Sequence, residues 1–455
     1  MGVLEAGIVA GAVEPAVADP ERPPLIGDHH SAVRVAQLLA ERFAAGVIER
    51  DQRGLLPVAE LAEFDRSGLL ALTIPARYGG SGLGEATVAE VVRVIAAVDP
   101  AIAQVGQGHF LFIDLLTAYG SEVQRRRLFA DVLAGRRIAN ALAERGGAHA
   151  QDLRTRLTAA RDGRSADHGD GPGSVVGPDT DAAAGPGPGH DRNSRSGPEG
   201  LRLDGRKYYA TGALTAHWIA TSAVGEDGLQ RIAFIERGQA GVSLDDDWNT
   251  MGQRATVSGS VTYAEVEVEP ELVLDYWRCF EQPQQFGARA QLYHAAIQVG
   301  IAGGALRDAQ WFVREKARPF FEAARAGIAT RAVDDPHTLH RFGQLAVQVS
   351  AAEALLAQTA RELDQIGLHP ADAAAAARGS LAVAQAKAFA SETAVTVASE
   401  LFSLAGASAA DRKYGLDRHW RNARTHASHD PVDWKYHHIG NYLLADVLPP
   451  NHGQL

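Results

Sequence analysis

The sequence predicts an α+β protein in three successive parts: a helical domain over 29–137, an antiparallel β domain over 138–275 and a helical bundle over 276–455. Three observations carry this. Before about residue 140, apolar residues recur every three to four positions, as on the buried stripe of a helix. Between about 138 and 275 the chain breaks into short β-branched and aromatic runs bounded by Gly and Asp. After about 280 it becomes Ala-rich, with long stretches that are apolar on more than one helical face. Strands do not alternate with helices, so a doubly wound parallel sheet is not expected.

Residues 1–28 read as a disordered lead-in. They are rich in Ala, Val, Pro and Glu, lack a positive n-region and carry acids where a signal segment is apolar. SAVRVAQLLAERFAAGVIERD and LPVAELAEFDRSGLLAL are amphipathic helices, and the Pro and Gly of TIPARYGGSGLG break the pattern after them. ATVAEVVRVIAAVDP is another helix, stopped at Asp99-Pro100, and GQGHFLFIDLLTAYG lies in a further one. Strands are placed at IANALAE, LRLDGRKYYATGA, HWIATSAV, QRIAFIE and GSVTYAEVEV. Between the first two lies 163–200, rich in Gly, Pro, Asp and Ser with almost nothing to bury. It reads as a disordered insertion that leaves His168 and His190 in solvent. The stretches beginning ARAQLYHAAIQ, HTLHRFGQLAV and DAAAAARGSLA are the long helices of the bundle.

Composition narrows the function. The 455 residues carry 44 basic and 55 acidic side chains, a net charge of −11, which is not the balance of a general nucleic-acid binder. The single cysteine, Cys279, excludes a disulfide within the chain and a thiolate zinc cluster, and suits a reducing cytoplasm. No stretch nears the roughly 20 apolar residues of a membrane span. No G-x-G-x-x-G follows a strand and there is no Walker A loop. His419 to Gly440, HWRNARTHASHDPVDWKYHHIG, holds five histidines, but their H-x2-H-x7-H-H spacing follows no metal template and Pro431 interrupts it. No metal is expected there.

Five motifs in order resemble the acyl-CoA dehydrogenase superfamily over about 30–445. LTIPARYGGSGL is similar to its P-x-x-Y-G-G-x-G-L turn, and ALAERGGAHAQDLRT stands at its first flavin-facing strand and loop. LDGRKYYATGA resembles L-x-G-x-K-x-x-I-T-N-G, WNTMGQRATVSGSVTYAEVEV its G-x-R-x-S hairpin, and RHWRNAR its R-x-x-R-D-A-R. The resemblance implies a helical N-domain, a middle β domain and a C-terminal four-helix bundle. The departures bear on chemistry. Where the dehydrogenases carry a glutamate base, this chain has Asp430 followed by Pro431. Aspartate is one methylene shorter, and a base must come within about 3 Å of its proton; Pro431 also disfavours helix at Asp430. The glycine-rich turn that lies against the FAD pyrophosphate is reduced to Gly406-Ala-Ser-Ala-Ala, and R-x-x-F-G to Arg318-Pro-Phe-Phe321. These changes fit FMN better than FAD.

That combination resembles the FMN-dependent monooxygenase branch, which includes dibenzothiophene monooxygenase and the SfnB-type sulfur-acquisition oxidoreductases. The resemblance implies reduced FMN supplied by a separate flavin reductase, a C4a-hydroperoxyflavin formed with dioxygen, and oxygen transfer to a small organosulfur substrate. It implies a homotetramer in which a neighbour finishes each flavin site. An FAD-dependent acyl-CoA dehydrogenase with Asp430 as base, an amine N-oxygenase and a non-enzymatic helical oligomer are the alternatives. By motif position, His429 is the first candidate for holding a proton at the activated oxygen, then His426, which sits three residues earlier on one helix face. Asp430 orients or charge-balances them, and His109 lines the substrate side or is an interior histidine bonded to backbone. Thr211 faces flavin N5 or is a satisfied strand hydroxyl. Tyr209 and Trp248 are ring walls or core, Asn140 meets the ring edge, and Arg318 and Gly406 meet the phosphate end. His437 and His438 are read as structural.

Overall fold

The computed structural model describes residues 22–149, 152–160 and 200–453. The expected lead-in lies outside these up to residue 21, and so does nearly all of the expected insertion, with His168 and His190. Six helices come first: α1 His29–Ala44, α2 Val47–Arg53, α3 Val58–Arg66, α4 Glu85–Ala96, α5 Pro100–Tyr119 and α6 Glu122–Leu133. Several starts are set by side chains. Asp28 accepts the Ser31 N–H at 2.8 Å at the head of α1. Asp99 caps α5, with Pro100 at its first position where no N–H is needed. Ser121 and Gln124 exchange bonds in a capping box on α6. α5 is buried on nearly every side, which is why GQGHFLFIDLL shows no polar face.

Eight strands follow: β1 Ile138–Ala141, β2 Arg156–Ala159, β3 Leu201–Lys207, β4 Trp218–Gly225, β5 Gln230–Glu236, β6 Val242–Asp245, β7 Ser260–Val268 and β8 Val273–Leu274. They form one sheet, β6-β7-β3-β2-β4-β5-β8, with β1 also paired to β4. Most pairings are antiparallel as expected, but β1 and β2 run parallel to β4, so the sheet is mixed. The reason is topological. The segment 208–217 carries the chain past β2, so β4 lands on the far side of β2 from β3. Alternation along a strand marks its faces and says nothing of which neighbour it takes.

The chain closes with α7 Phe286–Glu315, α8 Phe321–Arg325, α9 Pro336–Ile366, α10 Ala373–Ala405, α11 Asp417–Ala427 and α12 Val432–Ala445. α7, α9 and α10 pack on one another, and α7 also packs on α4, α5 and α11. The G-I-A-G-G stretch of α7, residues 300–304, makes the α4 contact close. A Cβ on Gly300 would lie 2.6 Å from both the Ala96 Cβ and the Arg93 carbonyl. α11 ends at Ala427 and α12 begins after Pro431. His426 is therefore in the last turn of a helix and His429 in the turn beyond it, not on one continuous face. Among the described residues no helix is long and apolar enough to cross a membrane.

Candidate active site

Three histidines meet where α7, α11 and the following turn converge. His294 of α7 was not singled out by its sequence. Its Nδ1 lies 3.2 Å from Nε2 of His426, and its ring lies 4.1 Å from that of His429, tilted by 35°. His426 Nδ1 is 3.1 Å from Gln104 Oε1, which also accepts from Gln253 Nε2 at 2.7 Å. With Gln104 oxygen as acceptor, the network assigns hydrogen to His426 Nδ1, so its Nε2 accepts from His294. Burial depresses both histidines, helped by their neighbours His429 and Lys387. His426 falls to about 3 and His294 well below its ordinary value. Both are neutral at neutral pH. His429 is the accessible member, with 48% of its side chain exposed.

Behind His429 stands Asp430. One carboxylate oxygen takes His429 Nδ1 at 2.7 Å and the Lys387 ammonium from α10; Lys435 Nζ of α12 is 3.5 Å from the other. Lys387 also bonds Gln291 of α7. Burial alone would favour a protonated Asp430, but its bonds to His429 and Lys387 outweigh that and hold it well below the usual carboxylate range. Burial brings Lys387 down to about 8, against the pull of Asp430. A carboxylate held by two cations orients His429 and is a poor proton acceptor.

A chain of hydroxyls reaches this cluster from the loops that follow β3 and precede β7. Thr211 Oγ1 is 2.8 Å from Ser258 Oγ, which is 2.7 Å from Thr256 Oγ1, which donates to the Gln253 carbonyl at 3.0 Å. The Trp248 indole N–H donates to the same carbonyl at 2.8 Å. Gln253 then bridges to the helices, its N–H donating to Asn422 Oδ1 of α11 at 2.6 Å. Tyr209, 48% exposed, sets its ring edge-on to Trp248 at 5.9 Å. Tyr209, Gln253 and Val257 have φ near +50 to +55°, three of only five non-glycine residues so placed among those described. Such strain, of order 1–3 kcal/mol per residue, persists where surrounding structure imposes it and clusters at functional sites.

The structure thus joins Thr211, Tyr209, Trp248, His426, His429 and Asp430 through Gln253, Gln104 and His294. It does not join the rest. His109 is fully buried; its Nε2 bonds the Leu70 carbonyl at 2.9 Å and its Nδ1 accepts the Ile138 N–H at 3.2 Å. It ties α5 to the start of β1 and has no nitrogen left for a substrate, which corrects the substrate-side reading. Burial lowers it to about 4. Asn140 is half-buried on β1 beside Gly108. Arg318 is exposed beyond the end of α7, and Gly406 ends α10 with φ +75° and nothing within 4 Å of a built Cβ. Within one chain neither touches the Thr211–Trp248 group. Of the residues the sequence left unmarked, His294 and Lys387 carry one shared signal, a polar residue inside an apolar run, as in QLYHAAIQVG and LAVAQAKAFA, whereas Gln253, in WNTMGQRATVS, carries none. Among the described residues no group of three or more His, Cys, Asp and Glu could hold a metal ion.

The same architecture occurs in known proteins. The acyl-CoA dehydrogenase N-terminal domain model matches residues 29–136 and the C-terminal domain model residues 292–434. Dibenzothiophene monooxygenase of Rhodococcus erythropolis is 31% identical over 436 residues, covering 92% of this chain and 94% of its own. The probable FMNH2-dependent monooxygenase SfnC of Pseudomonas putida is 33% identical over 428 residues, covering 92% and 96%. The crystal structure of FMN-bound TdsC from Paenibacillus sp. A11-2 superposes with a TM-score of 0.81 at 29% identity, covering 94% of this chain and all of that one. The chain belongs to the acyl-CoA dehydrogenase family, in the branch of the FMN-dependent monooxygenases.

Proposed function

We propose that the chain is a two-component monooxygenase that uses reduced FMN from a separate reductase to oxygenate a small organosulfur compound. The observation that carries this is the Lys387–Asp430–His429 arrangement, which puts an oriented, accessible histidine where a dehydrogenase needs an unpaired carboxylate base. The residues present fit a flavin ring. Thr211 offers a hydroxyl oxygen at the end of the hydroxyl chain, Tyr209 and Trp248 offer aromatic surface beside it, and Gln253 Oε1 is buried without a partner. Bound reduced flavin would supply the two electrons and two hydrogens with which dioxygen gives one atom to sulfur and releases the other as water.

The chain's own residues have separate tasks. Asp430 accepts the Nδ1 hydrogen of His429, so His429 presents Nε2, the nitrogen that can hold or give a proton. Neutral His294 and His426 pack beside it and add no competing charge. Thr211 meets the ring edge, and Tyr209 and Trp248 keep water from it. Arg318 and Gly406, exposed at the end of the bundle, complete a neighbouring subunit's flavin site in a homotetramer; the many exposed apolar side chains there and on α12 support an assembly.

The test is an assay with chemically reduced FMN, ¹⁸O-labelled dioxygen and a thioether, a sulfone or a sulfinate. Incorporation of one label per product is the expected result. His429→Ala is expected to lower product formation by about 10²- to 10⁴-fold, the usual worth of a positioned acid or base, with flavin affinity nearly unchanged. Purification with bound FAD that bleaches on adding an acyl-CoA would instead establish a dehydrogenase.

A further inference from the structure

The hydroxyl chain has a direction, and the direction follows from counting hydrogens. Thr211, Ser258 and Thr256 hold three hydroxyl hydrogens, and the chain contains three bonds, at 2.8, 2.7 and 3.0 Å. Its far end is the Gln253 carbonyl, which has no hydrogen to give. Thr256 must donate to it, so Ser258 donates to Thr256 and Thr211 to Ser258. The competing acceptors, the carbonyls of Tyr209 and Thr256, lie 3.5 Å away, outside the 2.5–3.0 Å range of good O–H···O bonds. Thr256 and Ser258 are almost wholly buried, so water does not reorient them. Val257 between them is β-branched yet has φ +55°. A β-branched residue in the left-handed region is a true outlier, and here it lies between the two bonded hydroxyls.

We infer that Thr256 and Ser258 determine which redox form of the flavin this site holds: they leave the Thr211 oxygen able only to accept a hydrogen bond. With flavin N5 against Thr211, the N5–H of the reduced form would satisfy that oxygen. Oxidised flavin presents a lone pair at N5 and meets another lone pair. The site therefore takes reduced cofactor from a carrier and releases the oxidised form after turnover, and two residues remote from the ring enforce it. This rests on the flavin reading above.

The experiment measures dissociation constants of the full-length protein for oxidised FMN in air and for reduced FMN under anaerobic conditions. The unaltered protein is expected to bind the reduced form more tightly. Thr256→Val removes the acceptor for Ser258, which frees Ser258 to donate to Thr211 and lets Thr211 point its hydrogen outward. The oxidised-to-reduced ratio should then fall by about five- to tenfold, the worth of one neutral hydrogen bond. Thr256→Ser keeps the hydroxyl and should keep the ratio; circular dichroism checks that both variants fold. An unchanged ratio in Thr256→Val, an equal fall in Thr256→Ser, or a native protein that prefers oxidised FMN overturns the inference while leaving flavin binding intact. A native protein that binds neither form overturns the proposed function, and this inference with it.

Discussion

At the scale of single residues, the buried histidines tie stability to pH. His109 accepts the Ile138 N–H at Nδ1, so protonating that nitrogen sets two donors against each other in a fully buried site. Its proton affinity is accordingly depressed to about 4, below the ordinary 6.5, chiefly by burial. The unfolded chain takes up this proton as pH falls through about 6.5, while the folded chain resists until about 4. The stabilising contribution is therefore complete above about 6.5 and is lost as pH falls towards 4, by up to about 1.4 kcal/mol per pH unit for one histidine. His109→Gln can still donate to the Leu70 carbonyl and cannot titrate. Its melting temperature should fall less steeply between pH 7 and 5 than that of the native protein. Parallel curves would show that His109 titrates in the fold as it does in the open chain.

At the scale of elements, α7 is the spine of the site. It carries Gln291 and His294 to the cluster and sits against α4 through glycine backbone. Gly300→Ala forces a methyl to within 2.6 Å of Ala96 and Arg93, so helix and neighbour must part. We expect a loss of about 1–3 kcal/mol, read as a lowered melting temperature. Gly303 in the same helix is the control. A Cβ there meets only the Glu353 carboxylate oxygen, at 3.9 Å. Gly303→Ala should stabilise by about 0.5–1 kcal/mol through helix propensity alone. Equal effects at both positions would remove close packing from the explanation.

At the scale of the whole molecule, one chain leaves apolar surface unfinished. α12 buries only Lys435 among its side chains, while Trp434, Leu443 and Leu444 face outward, Leu444 at 91% exposure. Phe320 and Phe321 stand out beside Arg318. Surfaces of this kind ordinarily lie in interfaces. We expect a homotetramer by light scattering at micromolar concentration, and a smaller, still folded species for Leu444→Glu or Phe321→Glu. A native monomer would overturn the proposal that Arg318 and Gly406 complete a neighbour's flavin site.

The sequence by itself determined the order of helical, β and helical segments, the break at Asp99-Pro100, and the replacement of a glutamate by Asp430-Pro431. Each is a local property, written in periodicity or in neighbouring residues. Tertiary structure decided the parallel pairings of β4, the burial of His109 between backbone groups, and the meeting of Gln104, Gln253, His294, Lys387 and His429. Those residues come from segments far apart in the chain. Hydrophobic pattern says which positions are buried, but which buried polar groups find each other depends on how helices cross and which strand lies beside which. Asp430 shows the division: its substitution was legible in the chain, and its role came from the lysine and the histidine that the fold placed on one carboxylate oxygen.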